Sequence, residues 1–386
     1  MEIEEVYEAI TAQSYGFFQN KTVTPQRLRD YIARMSRAYP ECQLDEAKLF
    51  TDLDELHLIS VLGDVRVIEN NEGHEKWFNP DTNTGLKREI EWHFWKHYKS
   101  YLINNKNWPK SVVEKIDEFS SKTLSRMEDP RRAGNWDRRG MIVGNVQSGK
   151  TANYTALIAK ALDSGYKLVI VLSGAHNDLR AQTQARLNEE ILGYDREKIQ
   201  LATAGDIRIG VRKVFKDHKV VNTLTTSTND GDFSKGKGKA GMEPSKTGDP
   251  IILVLKKHVG ILKNVIDWAT GLGTLDENDN KVVQNVPLFL IDDECDYASI
   301  DTTKQERDAT GRIIDDWDPT KTNKRIRKLL NGFSRKIYIG YTATPYANIF
   351  IHRDGYQKEF GEDLFPRHFL ISLPKPTNYM GPEKLF

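Results

Sequence analysis

Met141-Ile142-Val143-Gly144-Asn145-Val146-Gln147-Ser148-Gly149-Lys150-Thr151 is the stretch whose reading decides the fold. An apolar strand runs into a turn bounded by two glycines, and residues 152–162 then follow helical spacing. Residues 144–151 fit the pattern Gly-x-x-x-x-Gly-Lys-Thr. Its glycines let consecutive backbone N–H groups face phosphate oxygens, and the helix that opens behind it adds the positive end of a dipole. The pattern predicts that Gly144, Gln147, Ser148, Gly149 and Ala152 cradle ATP. Lys150 is expected to reach the β- and γ-phosphates, and the Thr151 hydroxyl to ligate Mg2+.

Working outward, short runs rich in Ile, Val and Leu recur at residues 141–143, 168–172, 199–202, 251–255, 288–291 and 337–341, with helical stretches at 152–162 and 179–192 between them. That βαβα order predicts an α/β fold with a buried parallel sheet. Residues 230–248, rich in Gly, Lys and Ser, read as a mobile loop. Ahead of this lobe the pattern is mainly helical. Thr24-Pro25 looks like an N-cap with proline at the first helical position. A helix is expected near 87–102, and Ser111-x-x-Glu114 has the form of a capping box. The domain reading is a helical region over 1–130, the α/β lobe over 131–364, and a proline-punctuated linker over 365–386.

Two further strand ends carry chemistry. In Leu288-Phe289-Leu290-Ile291-Asp292-Asp293-Glu294-Cys295-Asp296 a buried strand delivers carboxylates to its C-terminal edge, where ligands bind in such sheets. Asp293 is expected to hold the Mg2+ and Glu294 to activate the attacking water. Asp292 competes for the metal role, because a register shift of one residue turns it to the other face. In Tyr341-Thr342-Ala343-Thr344-Pro345 small hydroxyl residues, Thr344 among them, can bond across to the acids and report the state of the γ-phosphate. Trp136, just ahead of the first strand, either stacks on adenine or anchors the linker onto the lobe. Lys256-Lys257 after the fourth predicted strand of the lobe are candidate phosphate contacts, and Lys235-Gly236-Lys237-Gly238-Lys239 is a basic, flexible tract that either touches a nucleic-acid backbone or, as such runs usually are, is solvated. His93 and His97 stand four apart with no third metal ligand apparent, so aromatic packing is the better explanation of that segment.

Composition sets the limits. The 386 residues carry 56 Lys+Arg against 55 Asp+Glu, a formal net charge of +1, so nucleic acid would have to be bound by a local patch. Two cysteines make neither a disulfide framework nor a cysteine-based zinc site. The apolar runs are too short to span a bilayer and the first residues are acidic, so a cytoplasmic protein with no membrane partner is expected.

Asp293-Glu294-Cys295-Asp296 resembles the acidic motif of superfamily 2 helicases, and Thr342-Ala343-Thr344 their coupling motif. More narrowly, the chain resembles the Z-one domain family (letter Z, numeral one), bacterial ATPases that carry an endonuclease label. The match runs through Trp136-Asp137-Arg138-Arg139-Gly140, residues 144–154, Leu179-Arg180-Ala181-Gln182-Thr183-Gln184, residues 292–299 and residues 340–346. The resemblance implies a RecA-like lobe and a helicase-like ATPase that acts on DNA with partner proteins in restriction, phage defence or repair. It also implies that Arg180 and Gln182 grip a strand's phosphates. No paired acidic-x-Lys nuclease pattern accompanies the label. The sequence stops soon after the Thr-Ala-Thr motif, so a second lobe is expected from elsewhere. A self-associated copy or a partner would then supply an arginine in trans, with Arg325 and Arg327 as candidates. The alternative expectation is a nucleotide-controlled binding module that regulates a partner without translocating.

Overall fold

The structure is a computed structural model that describes residues 3–18, 25–42, 44–57, 66–144, 149–174, 176–197, 207–238, 245, 247–271, 273–275, 279, 281–297, 299, 321–343, 356–357 and 361–373. Seven strands form one sheet: β1 (Arg66–Glu69), β2 (Trp136–Val143), β3 (Leu168–Ser173), β4 (Ile251–Leu255), β5 (Leu288–Asp293), β6 (Arg335–Thr342) and β7 (Phe369–Ser372). Their order across the sheet is β1-β7-β2-β6-β5-β3-β4. Every pairing is parallel except that of β1 with β7.

The ten helices used below are α1 (Ile3–Phe18), α2 (Pro25–Ala38), α3 (Glu46–His57), α4 (Phe94–Asn104), α5 (Lys110–Leu124), α6 (Lys150–Ser164), α7 (Asn177–Leu187), α8 (Gly210–Val214), α9 (Val259–Ala269) and α10 (Lys321–Asn331). A π-helical turn, Asn188–Leu192, extends α7.

Strand residues alternate between two cores, as the period of two demands. Val169, Val171, Ile252, Val254, Phe289, Ile291, Ile337 and Ile339 join one cluster with α4, α5 and α6. Their neighbours Leu168, Ile170, Leu253, Leu255, Leu288, Leu290 and Tyr338 join the other with α9 and α10. Burial on both faces explains why these strands read as unbroken apolar runs. A third cluster, with Val6, Ile10, Leu28, Tyr31, Leu49 and Leu53, belongs to α1–α3 alone.

These cores redraw the expected boundaries. Helices α4 and α5 pack in the same core as the sheet, and β1 lies within it, so residues 66–130 belong with the α/β body and not with a separate helical region. A buried cation makes the attachment: Lys160 of α6 bonds Asp117 of α5 at 2.6 Å and sits 4.6 Å from the Trp95 ring of α4. Burial pulls its pKa down to about 8. The segment 365–386 is likewise not all linker, since Phe369–Ser372 pairs with β2; residues 374–386 lie outside the described residues.

The local expectations divide. Helix α2 is described from Pro25, and its expected cap, Thr24, lies outside the described residues. The helix placed near 87–102 begins only at Phe94, where Asp163 of α6 accepts the N–H groups of Phe94 and Trp95 at 3.0 Å each. Ser111 caps nothing: α5 starts at Lys110 behind Pro109 with no side-chain cap. The strand expected at 199–202 lies outside the described residues. The loop expected at 230–248 is anchored over its described first part, where Phe233 is buried and Asp232 accepts the Lys256 N–H at 2.9 Å. No helix among the described residues is long and apolar enough to cross a membrane.

Candidate nucleotide site

The sheet register brings the three motifs to one edge. Val143 of β2 lies opposite Thr342 of β6, Tyr341 of β6 opposite Asp293 of β5, and Asp293 opposite Ser173 of β3. The strand bearing Thr342-Ala343 therefore stands between the one that leads to Lys150 and the one that ends in the acids. Helix α6 starts at Lys150 behind Gly149, whose φ of +72° is a left-handed turn that glycine adopts without a steric penalty.

A cavity of about 540 Å³ opens at this edge, lined by Lys150, Thr151, Asp293, Glu294 and Ala343 together with Ser173, Gly174, Gln182, Thr183, Arg186, Asp296 and Tyr297. Two motifs separated by more than a hundred residues thus face one space. Gln147, Ser148 and Thr344 lie outside the described residues. The N–H of Gly144 is taken by Thr342 O at 2.9 Å, so it serves the sheet and not a phosphate. Ala152 buries its methyl in the core, which leaves only its backbone for a ligand.

The adjacent acids separate cleanly. Asp292 is fully buried, accepts the Tyr338 hydroxyl at 2.7 Å and pairs with Lys257 Nζ at 2.8 Å. Asp293 points into the cavity, where burial raises its pKa while Lys150 works in the opposite direction. Of the two acids, only Asp293 lines the cavity, where a bound cation would offset that burial penalty. Glu294 is exposed and holds a φ of +55°, a conformation uncommon outside glycine that recurs where a side chain must be aimed. Three neighbours hold this turn: Lys257 Nζ donates to Glu294 O at 2.6 Å, Tyr297 N donates to the same carbonyl at 2.9 Å, and Cys295 N donates to Tyr341 O at 3.0 Å.

Several expected contacts are reassigned. Trp136 begins β2, at the far end of the strand from Gly144, and is buried edge-on against Tyr166, so it is no adenine platform and packs as the alternative anchor. Arg180 is fully buried and donates to Thr226 O and Thr228 O, so it holds that loop and cannot grip a nucleic-acid strand. Lys257 donates to Glu294 O and Tyr297 O and is ion-paired with Asp292, so it is engaged inside the fold. Lys256 bonds Asn177 at 2.7 Å, and Gln182 lines the cavity. Lys237 of the basic tract folds back onto Gly231 O and Asp232 O. Arg327 is fully buried in α10 and cannot reach another copy, whereas Arg325 is half-buried.

Sequence reasoning missed Arg186, a second cation in the cavity, held by Glu190 through Nε at 3.1 Å. Its only signal was a place two turns beyond Leu179 on a helix of otherwise polar surface. Compared with models of protein families and with curated proteins, the chain matches none.

Proposed function

We propose that this chain is a Mg2+-dependent ATPase whose sheet is a RecA-like P-loop lobe. One juxtaposition carries the reading: Lys150 and Thr151 at the start of a helix share a cavity with Asp293 and Glu294 at the end of a strand that is distant in sequence. Backbone N–H groups and Lys150 suit phosphates, Thr151 and Asp293 are oxygen donors suited to Mg2+, and Glu294 is the carboxylate placed to take a proton from water. Bound Mg2+ would neutralise charge on the phosphate oxygens. The protein's own part is to hold Lys150, Asp293 and Glu294 on rigid elements around the γ-phosphate.

Action on DNA, with partner proteins in defence or repair, is proposed from the resemblance to the Z-one domain family. The burial of Arg180 and Lys257 favours a second reading, a nucleotide-controlled switch that regulates a partner without translocating. ATPase rates measured with and without single-stranded and duplex DNA separate the two. Stimulation by DNA supports the motor, and an unchanged rate with DNA supports the switch. Absence of Mg2+-dependent hydrolysis and of ATP binding together would overturn both.

A further inference from the structure

His93 precedes α4, His97 lies one turn along it, and His218 comes from the loop that follows α8. One ring nitrogen from each lies within 4.8 Å of the others. His218 supplies the third ligand that the spacing of His93 and His97 leaves missing. From these positions we propose that His93, His97 and His218 bind a divalent transition metal, Zn2+ by preference, apart from the nucleotide site and independently of it.

The hydrogen bonds around the rings argue for a ligand set. His218 Nε2 lies 2.6 Å from Ile191 O, which can only accept, so Nε2 carries the proton and Nδ1 presents a lone pair. That lone pair faces His97 Nδ1 at 2.8 Å. His97 Nε2 in turn points at the Asp217 carboxylate, 3.8 Å away. One ring backed by a carbonyl and one by a carboxylate is the arrangement that orients metal-ligating histidines and sets their tautomer. Phe215 stacks on His97 with centroids 4.2 Å apart and planes 4° apart, fixing the ring further. Imidazole nitrogens on tetrahedral zinc stand about 3.3 Å apart, given Zn–N bonds of about 2.0–2.1 Å. The two Nδ1 atoms therefore need to open by about half an ångström, and the proton that His97 Nδ1 donates between them moves to His97 Nε2, on the Asp217 side, as the ion enters. His93 is the weakest of the three, since its Nε2 accepts the Lys219 N–H at 2.9 Å and must give that bond up. Zinc here would fasten the loop after α8 to α4, with its fourth position open to water.

Cobalt(II) is the direct probe. Added to the full chain after chelation and desalting, it is expected to give the intense visible absorption of a tetrahedral site at one equivalent, displaced by zinc. His97→Gln combined with His218→Gln should abolish the signal. Asp217→Asn, at a side chain 78% exposed, should weaken binding by about tenfold or more without changing the melting temperature of the metal-free protein. An absorption spectrum that stays octahedral, or one that survives the double substitution, would overturn the site. Because the wild-type titration stands alone, misfolding of a variant cannot rescue the idea. Asp293→Asn should leave the cobalt spectrum intact, which separates this site from that of Mg2+.

Discussion

Lys257 and Asp292 form a wholly buried ion pair, 2.8 Å apart, behind the edge of the sheet where Glu294 is aimed into the cavity. The lysine also donates to Glu294 O and Tyr297 O, so one ammonium ties two strand ends and the turn between the acids and Tyr297. Removing one partner of such a pair leaves an uncompensated buried charge, a loss of about 3–5 kcal/mol. Lys257→Met should therefore destabilise the fold by about that amount in denaturant titrations. Asp292→Asn should lower stability while leaving the Mg2+ dependence of nucleotide binding in place. Asp293→Asn should do the reverse, and calorimetry with and without Mg2+ distinguishes them.

Glu294→Gln keeps the side chain's size and removes its basicity. Nucleotide affinity should stay close to that of the parent while turnover falls by about 10²–10⁴-fold, the usual worth of a positioned general base. A phosphate-release assay beside a binding titration gives both quantities. Equal loss of both would place Glu294 in binding instead.

Gly174 holds a φ of +53°, and a Cβ there would meet Glu294 Oε2 and Leu179 Cδ1 at 3.3 Å each. Gly174→Ala should lower stability by about 1–2 kcal/mol through the left-handed backbone alone. Because the displaced group is Glu294, turnover should fall further than ATP affinity. Thermal melts and steady-state kinetics check the two parts.

How far all this was legible follows from residue pattern. Residues 168–172 and 251–255 announced themselves as strands because both faces of the sheet are covered, and Gly149-Lys150-Thr151 announced a helix start because a left-handed turn ahead of a helix favours glycine. Roles that depend on which way a side chain points were not legible. Arg180 and Lys257 look like surface cations in one dimension, and only the fold reveals the carbonyls of Thr226, Thr228 and Glu294 waiting for them. Asp292 and Asp293 could not be told apart without strand register. His218 lies 121 residues from His97, a separation no spacing rule spans. The boundary at 130 was not legible for a related reason: α4 and α5 have ordinary amphipathic patterns, and what they pack against is α6, on the other side of that boundary.

His368 gives a pH dependence with a definite sign. Its Nδ1 accepts the Arg139 N–H at 2.8 Å, and burial, then Arg138 and Arg367, push its pKa down to about 3. The native state thus favours the neutral ring. Stability from this group is fully present above the unfolded value of about 6.5 and is lost as pH falls toward 3. Loss on the order of a few kcal/mol is expected across that window, with β7 loosening from β2 first. Amide exchange of residues 369–372 at pH 7 and pH 4 measures it; equal protection at both would be the contrary result.

The most direct test of the central claim is calorimetric titration of the chain with a non-hydrolysable ATP analogue and Mg2+, set beside Lys150→Ala. On the proposed reading Lys150 would supply a charge-assisted hydrogen bond to phosphate from the start of α6; its side chain reaches the cavity and packs in no core. Saturable binding at one nucleotide per chain is predicted for the parent. The variant should lose about 1.5–3 kcal/mol of binding, roughly 10- to 150-fold, at an unchanged melting temperature. Equal affinity in parent and variant, or no binding by the parent at all, would contradict it.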